Sequence, residues 1–97
     1  MKRPLRKSKK FEREFRRFQK NFGIVVRQLR KKRHLSRPEL ARLAKFSKTT
    51  LEQIEQGKGN PSLRRMENLA AALHLRLSYI FKLTQDAAER NKHRDGD

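Results

Sequence analysis

Three serines, Ser36, Ser47 and Ser62, each stand directly before a short segment whose apolar residues recur at helical spacing. A serine in that position accepts a hydrogen bond from a free backbone N–H of the first helical turn. Ser36 also has Glu39 three residues on, which is the capping-box spacing, and Gly57 ends the segment that Ser47 begins. These signals divide the chain into short helices joined by tight turns, and they predict an all-α fold.

The flanks of this region carry different patterns. Four phenylalanines at spacings of four, three and four residues form one stripe of a basic amphipathic helix over 11–22; this phenylalanine stripe comprises Phe11, Phe15, Phe18 and Phe22. Gly23 is expected to separate that helix from the next. Residues 1–10 read as a disordered basic arm, 23–83 as a helical domain, and 84–97 as a polar tail that frays.

The charge is large and unevenly placed. The formal net charge is +17, and residues 1–33 hold fifteen Lys or Arg against two Glu. Such a balance favours a polyanionic partner, either nucleic acid or an anionic membrane surface. No secretory signal or membrane span is recognisable in the sequence, so we expect a cytoplasmic, nucleoid-associated protein.

Catalytic and metal-binding classes find no support in the sequence. Cysteine is absent, which excludes disulfides and thiolate metal sites. His34, His74 and His93 share no ligand spacing, and no carboxylate pair or Ser with a nearby His suggests catalysis. We therefore expect no enzyme, no cofactor and no metal.

Residues 36–57 comprise two helices of about nine residues joined by about three residues, a spacing that lets the second helix stand out from the domain. Leu51 and Ile54 are expected to face inward, which leaves a polar outer face suited to a DNA major groove. Gln53 can pair with adenine, Lys48 can donate to guanine or phosphate, and the Thr49 methyl can pack on thymine. The candidate base contacts are Lys48, Thr49, Glu52 and Gln53.

The stretch from Val25 to Phe81 resembles the phage repressor and Cro-type helix-turn-helix family, which includes restriction-modification controller proteins. Three motifs arrive in order at the family's spacing: "LS..ELA" from Leu35, "S..TL..IE.G" from Ser47 and "NPSL....LA.AL" from Asn60. The resemblance implies a five-helix lambda-repressor-like domain, here with an extra N-terminal Phe-rich helix. It also implies a structural ion pair between Arg30 and Glu55.

Two departures from the family pattern affect the reading unit. The family often has Gly where Lys45 stands, so Lys45 is expected to adopt a left-handed conformation at some cost. Arg37 stands where Gln is frequent, and keeps a phosphate donor there. Phosphate contacts are expected at helix starts and in the loop beyond the second helix, from Arg37, Thr50, Lys58, Asn60 and Arg64.

Family members commonly bind as two-fold dimers to inverted repeats with half-sites about one DNA turn, roughly 34 Å, apart. The candidate dimer-interface residues lie in the phenylalanine stripe and the fifth helix, where apolar residues exceed what one buried face requires; they are Phe11, Phe15, Phe18, Tyr79, Phe81 and Leu83. Packing over the domain's own core is the alternative role for both sets. A membrane-surface helix is a further alternative for the phenylalanine stripe.

The sequence therefore predicts a sequence-specific, double-stranded-DNA-binding transcriptional regulator, a dimeric repressor or autoregulator that reads the major groove with helix 48–56. Two rivals stay open. One is an antitoxin-like module that binds a small protein through the phenylalanine stripe. The other is RNA or ribosome binding through charge alone.

Overall fold

The computed structural model describes residues 9–94, with side chains as far as Asn91. It contains five α-helices and, over those residues, no strand: α1 (Lys9–Lys32), α2 (Arg37–Ala44), α3 (Lys48–Glu55), α4 (Leu63–Ala72) and α5 (Leu77–Arg94). The predicted all-α class is confirmed. Residues 1–8, which make up most of the predicted basic arm, lie outside the described residues.

The prediction that Gly23 separates two helices is wrong. α1 runs for 24 residues without a break, so the predicted Phe-rich helix is the first half of α1 and not an extra element. Gly23 is buried inside α1 because another helix packs against it there, a contact described below. The about 1 kcal/mol that Gly costs relative to Ala in a helix is offset by that packing.

The predicted boundary at residue 84 also needs correction, because α5 continues to Arg94. Thr84 and Ala87 are buried, and the Thr84 hydroxyl donates to the Ile80 carbonyl oxygen at 2.8 Å. Near the end of the helix, Asn91 Nδ2 donates to Oδ1 of the buried Asn21 in α1 at 2.6 Å. The polar composition of this segment therefore conceals one side that packs on α1.

The hydrophobic core lies where the five helices meet. Its fully buried larger side chains are Val26, Leu40, Leu51, Leu69, Leu73 and Ile80. An aromatic cluster extends this core towards the N-terminal half of α1: the Phe81 ring lies 5.9 Å from Phe18 and 6.1 Å from Phe22, centroid to centroid. Half of the phenylalanine stripe is thus covered by α5 within the same chain.

The predicted helix starts are made by the three serines. Ser36 Oγ accepts from Glu39 N at 3.2 Å while Glu39 Oε1 accepts from Ser36 N at 2.8 Å, completing the capping box. Ser47 and Ser62 Oγ accept from the backbone N–H three residues on, at 3.0 and 3.1 Å. None of the described helices is long and apolar enough to cross a membrane.

Candidate nucleic-acid interface

The turn between α2 and α3 is built without glycine. Lys45 caps α2 in the left-handed conformation, with φ 64° and ψ 41°, the conformation expected for a residue at this position. The next residue, Phe46, donates its backbone N–H to Ala41 O at 3.0 Å and packs its half-buried ring on the core. The Phe46 ring thus anchors a turn whose backbone is strained at Lys45.

The two faces of α3 differ sharply. Leu51 is 0% and Ile54 4% exposed, so both lie in the core. Lys48, Thr49 and Gln53 are exposed on the opposite side, whereas Glu52 is only half-exposed at the edge of that face. The structure therefore brings the four predicted base-contacting residues together on the outer side of one helix.

The inner side of α3 contacts α1 through backbone atoms. A Cβ added at Gly23 would lie 2.3 Å from Ile54 O and 2.8 Å from Glu55 O, so only glycine permits this approach. Just beyond α3, Gly57 has φ +74°, and a Cβ there would lie 3.0 Å from Lys20 Cα. These two glycines set how closely the C-terminal end of α3 lies against α1.

An ion-pair network reinforces the same contact. Glu55 Oε2 accepts from Arg30 Nε at 2.7 Å, and Glu55 Oε1 accepts from Arg30 Nη2 at 3.2 Å and from Arg37 Nε at 3.0 Å. Arg30 Nη1 also donates to Leu35 O at 2.9 Å. Arg30 and Glu55 are 7% and 8% exposed, so their charges require each other as partners. The network joins α1, α2 and α3 at the base of the reading unit.

The residues predicted to contact phosphate differ in their surroundings. Lys58, Asn60 and Arg64 are exposed, beyond the C-terminal end of α3. Thr50 Oγ1 accepts from Ser47 Oγ at 2.9 Å as part of the α3 cap. Arg37 has one guanidinium nitrogen engaged by Glu55, with its side chain 36% exposed.

The capping box makes one acidic group electrostatically distinct. Hydrogen bonds from the Ser36 backbone N–H and then the Ser36 side chain, followed by the nearby charge of Arg42, lower the pKa of the exposed Glu39 from its ordinary 4.5; a small desolvation cost opposes them. A carboxylate is stabilised by donors that favour its charged form. Glu39 thus fixes the start of α2 in its ionised state.

The six predicted dimer-interface residues separate into two groups. Phe18 and Phe81 pack against each other and Phe22 inside the chain, which makes them core residues of one molecule. Phe11, Phe15 and Tyr79 are 47%, 40% and 47% exposed. Leu83 is half-buried and borders a groove with Tyr79, Val25 and Leu29.

Several residues that shape this interface were missed from the sequence. The Gln19 side chain donates to Gly59 O, joining α1 to the loop after α3, and Arg37 joins the ion pair. A mid-helix glycine is the one signal that pointed to a close helix contact, since such glycines usually have a packing reason. Gln19 carries no comparable signal.

Comparison with known proteins identifies a family. A model described as "Helix-turn-helix domain" matches residues 21–77. The "ImmF control region 10 kDa protein" of Bacillus phage phi105 is 32% identical over 66 residues, covering 68% of this chain and 72% of the relative. The "Immunity repressor protein" of the same phage is 33% identical over 79 residues, covering 77% of this chain but 55% of the relative. The chain thus spans about half the length of that repressor.

Solved structures agree with this assignment. The clp gene regulator ClgR from Corynebacterium glutamicum superposes with a TM-score of 0.79 at 16% identity, covering 81% of this chain and 84% of that one; this likeness concerns the fold alone. The restriction-modification controller protein C.AhdI from Aeromonas hydrophila has a TM-score of 0.62 at 31% identity, covering 63% and 92% of the two chains. The chain belongs to the helix-turn-helix domain family and is a DNA-binding transcriptional regulator, not an enzyme.

Proposed function

We propose that this protein is a sequence-specific repressor or autoregulator that binds an inverted repeat as a homodimer and reads the major groove with α3. The observation that carries the proposal is the exposed face of Lys48, Thr49 and Gln53 on a helix whose other side is fixed to α1 and the core. A recognition helix needs both properties, since base contacts specify only from a fixed position. The phage immunity repressor and the controller protein among its relatives support the regulatory role.

Base contacts are assigned by side-chain chemistry. Gln53 offers both amide atoms to adenine, Lys48 donates to guanine or phosphate, and the Thr49 methyl packs on thymine. Glu52, at the edge of the face, accepts from cytosine or repels phosphates in the wrong register. Arg37, Thr50, Lys58, Asn60 and Arg64 form the set of proposed phosphate contacts.

The test is selection of bound sites from a pool of random duplexes. An enriched inverted repeat with half-sites about one DNA turn apart is the expected result. Gln53→Ala should then relax preference at one position in each half-site, at a cost of about 1–3 kcal/mol. If no motif is enriched, sequence-specific regulation is refuted.

The dimer is tested separately by sedimentation at increasing protein concentration. Tyr79→Ser and Phe15→Ser remove one exposed ring each from α5 and α1. The variant that weakens dimerisation identifies the interface. A wild-type chain that stays monomeric both free and on the selected site would refute the homodimer.

Two exposed rings support a second candidate function. Phe11 and Phe15 remain uncovered on α1, beside a groove formed by Phe18, Gln19, Asn60, Pro61 and Met66. An antitoxin-like role would use them to bind a small protein encoded nearby. Loss of that partner on Phe11→Asp and Phe15→Asp, with retention on Gln53→Ala, supports this role, and the reverse pattern excludes it.

A further inference from the structure

The outer side of α1 carries a second ordered feature, a line of cations. Six exposed residues recur at spacings of four, three, four, seven and four, so they share one face of the helix; this basic stripe comprises Lys9, Arg13, Arg16, Lys20, Arg27 and Lys31. Glu12 and Glu14 fall to either side of it. At 1.5 Å per residue the stripe is roughly 33 Å long, close to one turn of B-DNA.

The stripe lies opposite the side of α1 that packs in the core. Phe18, Phe22 and Val25 face α5 and the core, and by the 100° helical step the basic stripe is about half a turn away from them. α1 is held in place by these contacts and by the hydrogen bond between Asn91 and Asn21. The cations are therefore presented by a rigid helix and not by a mobile arm.

The stripe also adjoins the end of the proposed reading helix. Lys20 is the residue against which Gly57 packs, and its neighbour Gln19 is hydrogen-bonded to Gly59 O. Further along α1, Arg27 and Lys31 border a cleft that contains Glu55. The loop that holds Lys58 and Asn60 thus lies directly beside the middle of the stripe.

We propose that the basic stripe of α1 is a phosphate-binding surface that extends the DNA contact beyond the base pairs read by α3. This inference rests on the proposed function, because it takes the bound polyanion to be duplex DNA. Evenly placed cations on a rigid helix neutralise several phosphates and release their counterions without distinguishing sequence. The N-terminal part of the stripe, Lys9 to Lys20, lies largely outside the 21–77 region that matches the family.

An anionic membrane is the competing partner for a basic amphipathic helix. The packing of α1 opposes it, since a helix lying in a membrane surface inserts its apolar face, and here Phe18 and Phe22 are covered by Phe81. The position of the stripe beside the reading unit of a DNA-binding protein favours duplex DNA.

The test compares two variants of equal charge change in the full chain. One carries Arg13→Gln, Arg16→Gln and Lys20→Gln in the stripe. The control carries Arg76→Gln, Lys82→Gln and Arg90→Gln, which are exposed cations of α5 and its start. Both are first checked for an unchanged unfolding midpoint.

Affinity is measured against salt on two duplexes that contain the selected site, one ending at the half-sites and one extended by about one DNA turn on each side. The stripe variant should bind the long duplex about tenfold or more weakly, with a log–log salt slope smaller by about 2.7 for three lost phosphate contacts. It should lose the advantage of the long duplex while keeping the base preference of the wild type. The control should retain the advantage.

Equal losses in both variants would overturn the proposal, because they would show an effect of net charge alone. An unchanged stripe variant would overturn it as well. Loss of binding to phosphatidylserine vesicles with unchanged DNA binding would assign the stripe to a membrane. If the wild type selects no motif, the proposed function fails, whereas the same salt slopes measured on a random-sequence duplex still decide whether the stripe binds phosphate.

Discussion

Arg30 and Glu55 form a buried bidentate ion pair, with contacts of 2.7 and 3.2 Å, that connects α1 to the last residue of α3. Arg37 completes it from the first turn of α2. Since isolated buried charges are costly and paired ones roughly balance their desolvation, the pair fixes the relative position of the three helices more than it adds to stability.

Removing one partner should therefore be far worse than removing both. Glu55→Ala strands Arg30 among buried neighbours and should lower the free energy of unfolding by about 3–5 kcal/mol. The double variant Arg30→Met with Glu55→Leu should recover most of this loss while weakening specific DNA binding. Urea unfolding measures the first effect, and an equal loss in both variants would contradict it.

Gly23→Ala should destabilise the protein although alanine favours helices. The added methyl would lie 2.3 Å from Ile54 O, so α1 and α3 must separate at a cost of about 1–3 kcal/mol. Gln28→Ala, at an exposed site of α1, is the control and should be nearly neutral. The sharper readout is DNA binding: affinity for the selected site should fall more than affinity for random DNA, because α3 is displaced.

Lys45→Gly should stabilise the protein. Lys45 occupies the left-handed region at φ 64°, where a side chain costs about 1–2 kcal/mol and glycine costs little. Part of the gain is lost to the greater freedom of glycine in the unfolded chain, which leaves about 0.5–1 kcal/mol. Lys45→Ala removes the same charge but keeps the strain, so an equal gain from both variants would show that charge and not conformation is responsible.

The C-terminal part of α5 should be part of the folding unit. Ending the chain after Leu83 removes the buried Thr84 and Ala87 and the hydrogen bond from Asn91 to Asn21. The unfolding midpoint should fall clearly. Ending the chain after Asn91 keeps all three and should leave the midpoint near that of the full chain; similar midpoints for the two truncations would return residues 84–91 to the status of a tail.

The start of α2 should weaken in acid. Because the folded-state pKa of Glu39 is lowered from 4.5, its contribution is fully present above the unfolded-state pKa and is lost as pH falls through the folded-state value. Glu39→Gln keeps an acceptor for the Ser36 N–H but does not titrate. The free energy of unfolding of the variant, measured from neutral pH into that acid window, should fall less steeply than that of the wild type.

Local signals in the sequence were enough to predict the middle of the fold. The caps at Ser36, Ser47 and Ser62 act within three residues, so short-range pattern determines them. Gly23 was misread because its reason is a carbonyl oxygen at Ile54, far away in sequence. The helical segment after Leu83 was misread because a polar composition was taken for solvent exposure, although α1 covers one side of it.

The same limit applies to the site. The outward residues of α3 follow from a helical period and the inward positions of Leu51 and Ile54. The partner of Arg37, by contrast, lies 18 residues away, and no periodicity connects the two. Contacts between elements decide such pairings, and a single sequence does not contain them.

Since Gly23 and Gly57 dock α3 through main-chain atoms, the orientation of the helix does not depend on which side chains occupy its outer surface. Lys48, Thr49 and Gln53 can consequently be exchanged without rebuilding the scaffold behind them. A library randomised at these three positions, on an otherwise unaltered chain, is a direct route to regulators with new operator preferences.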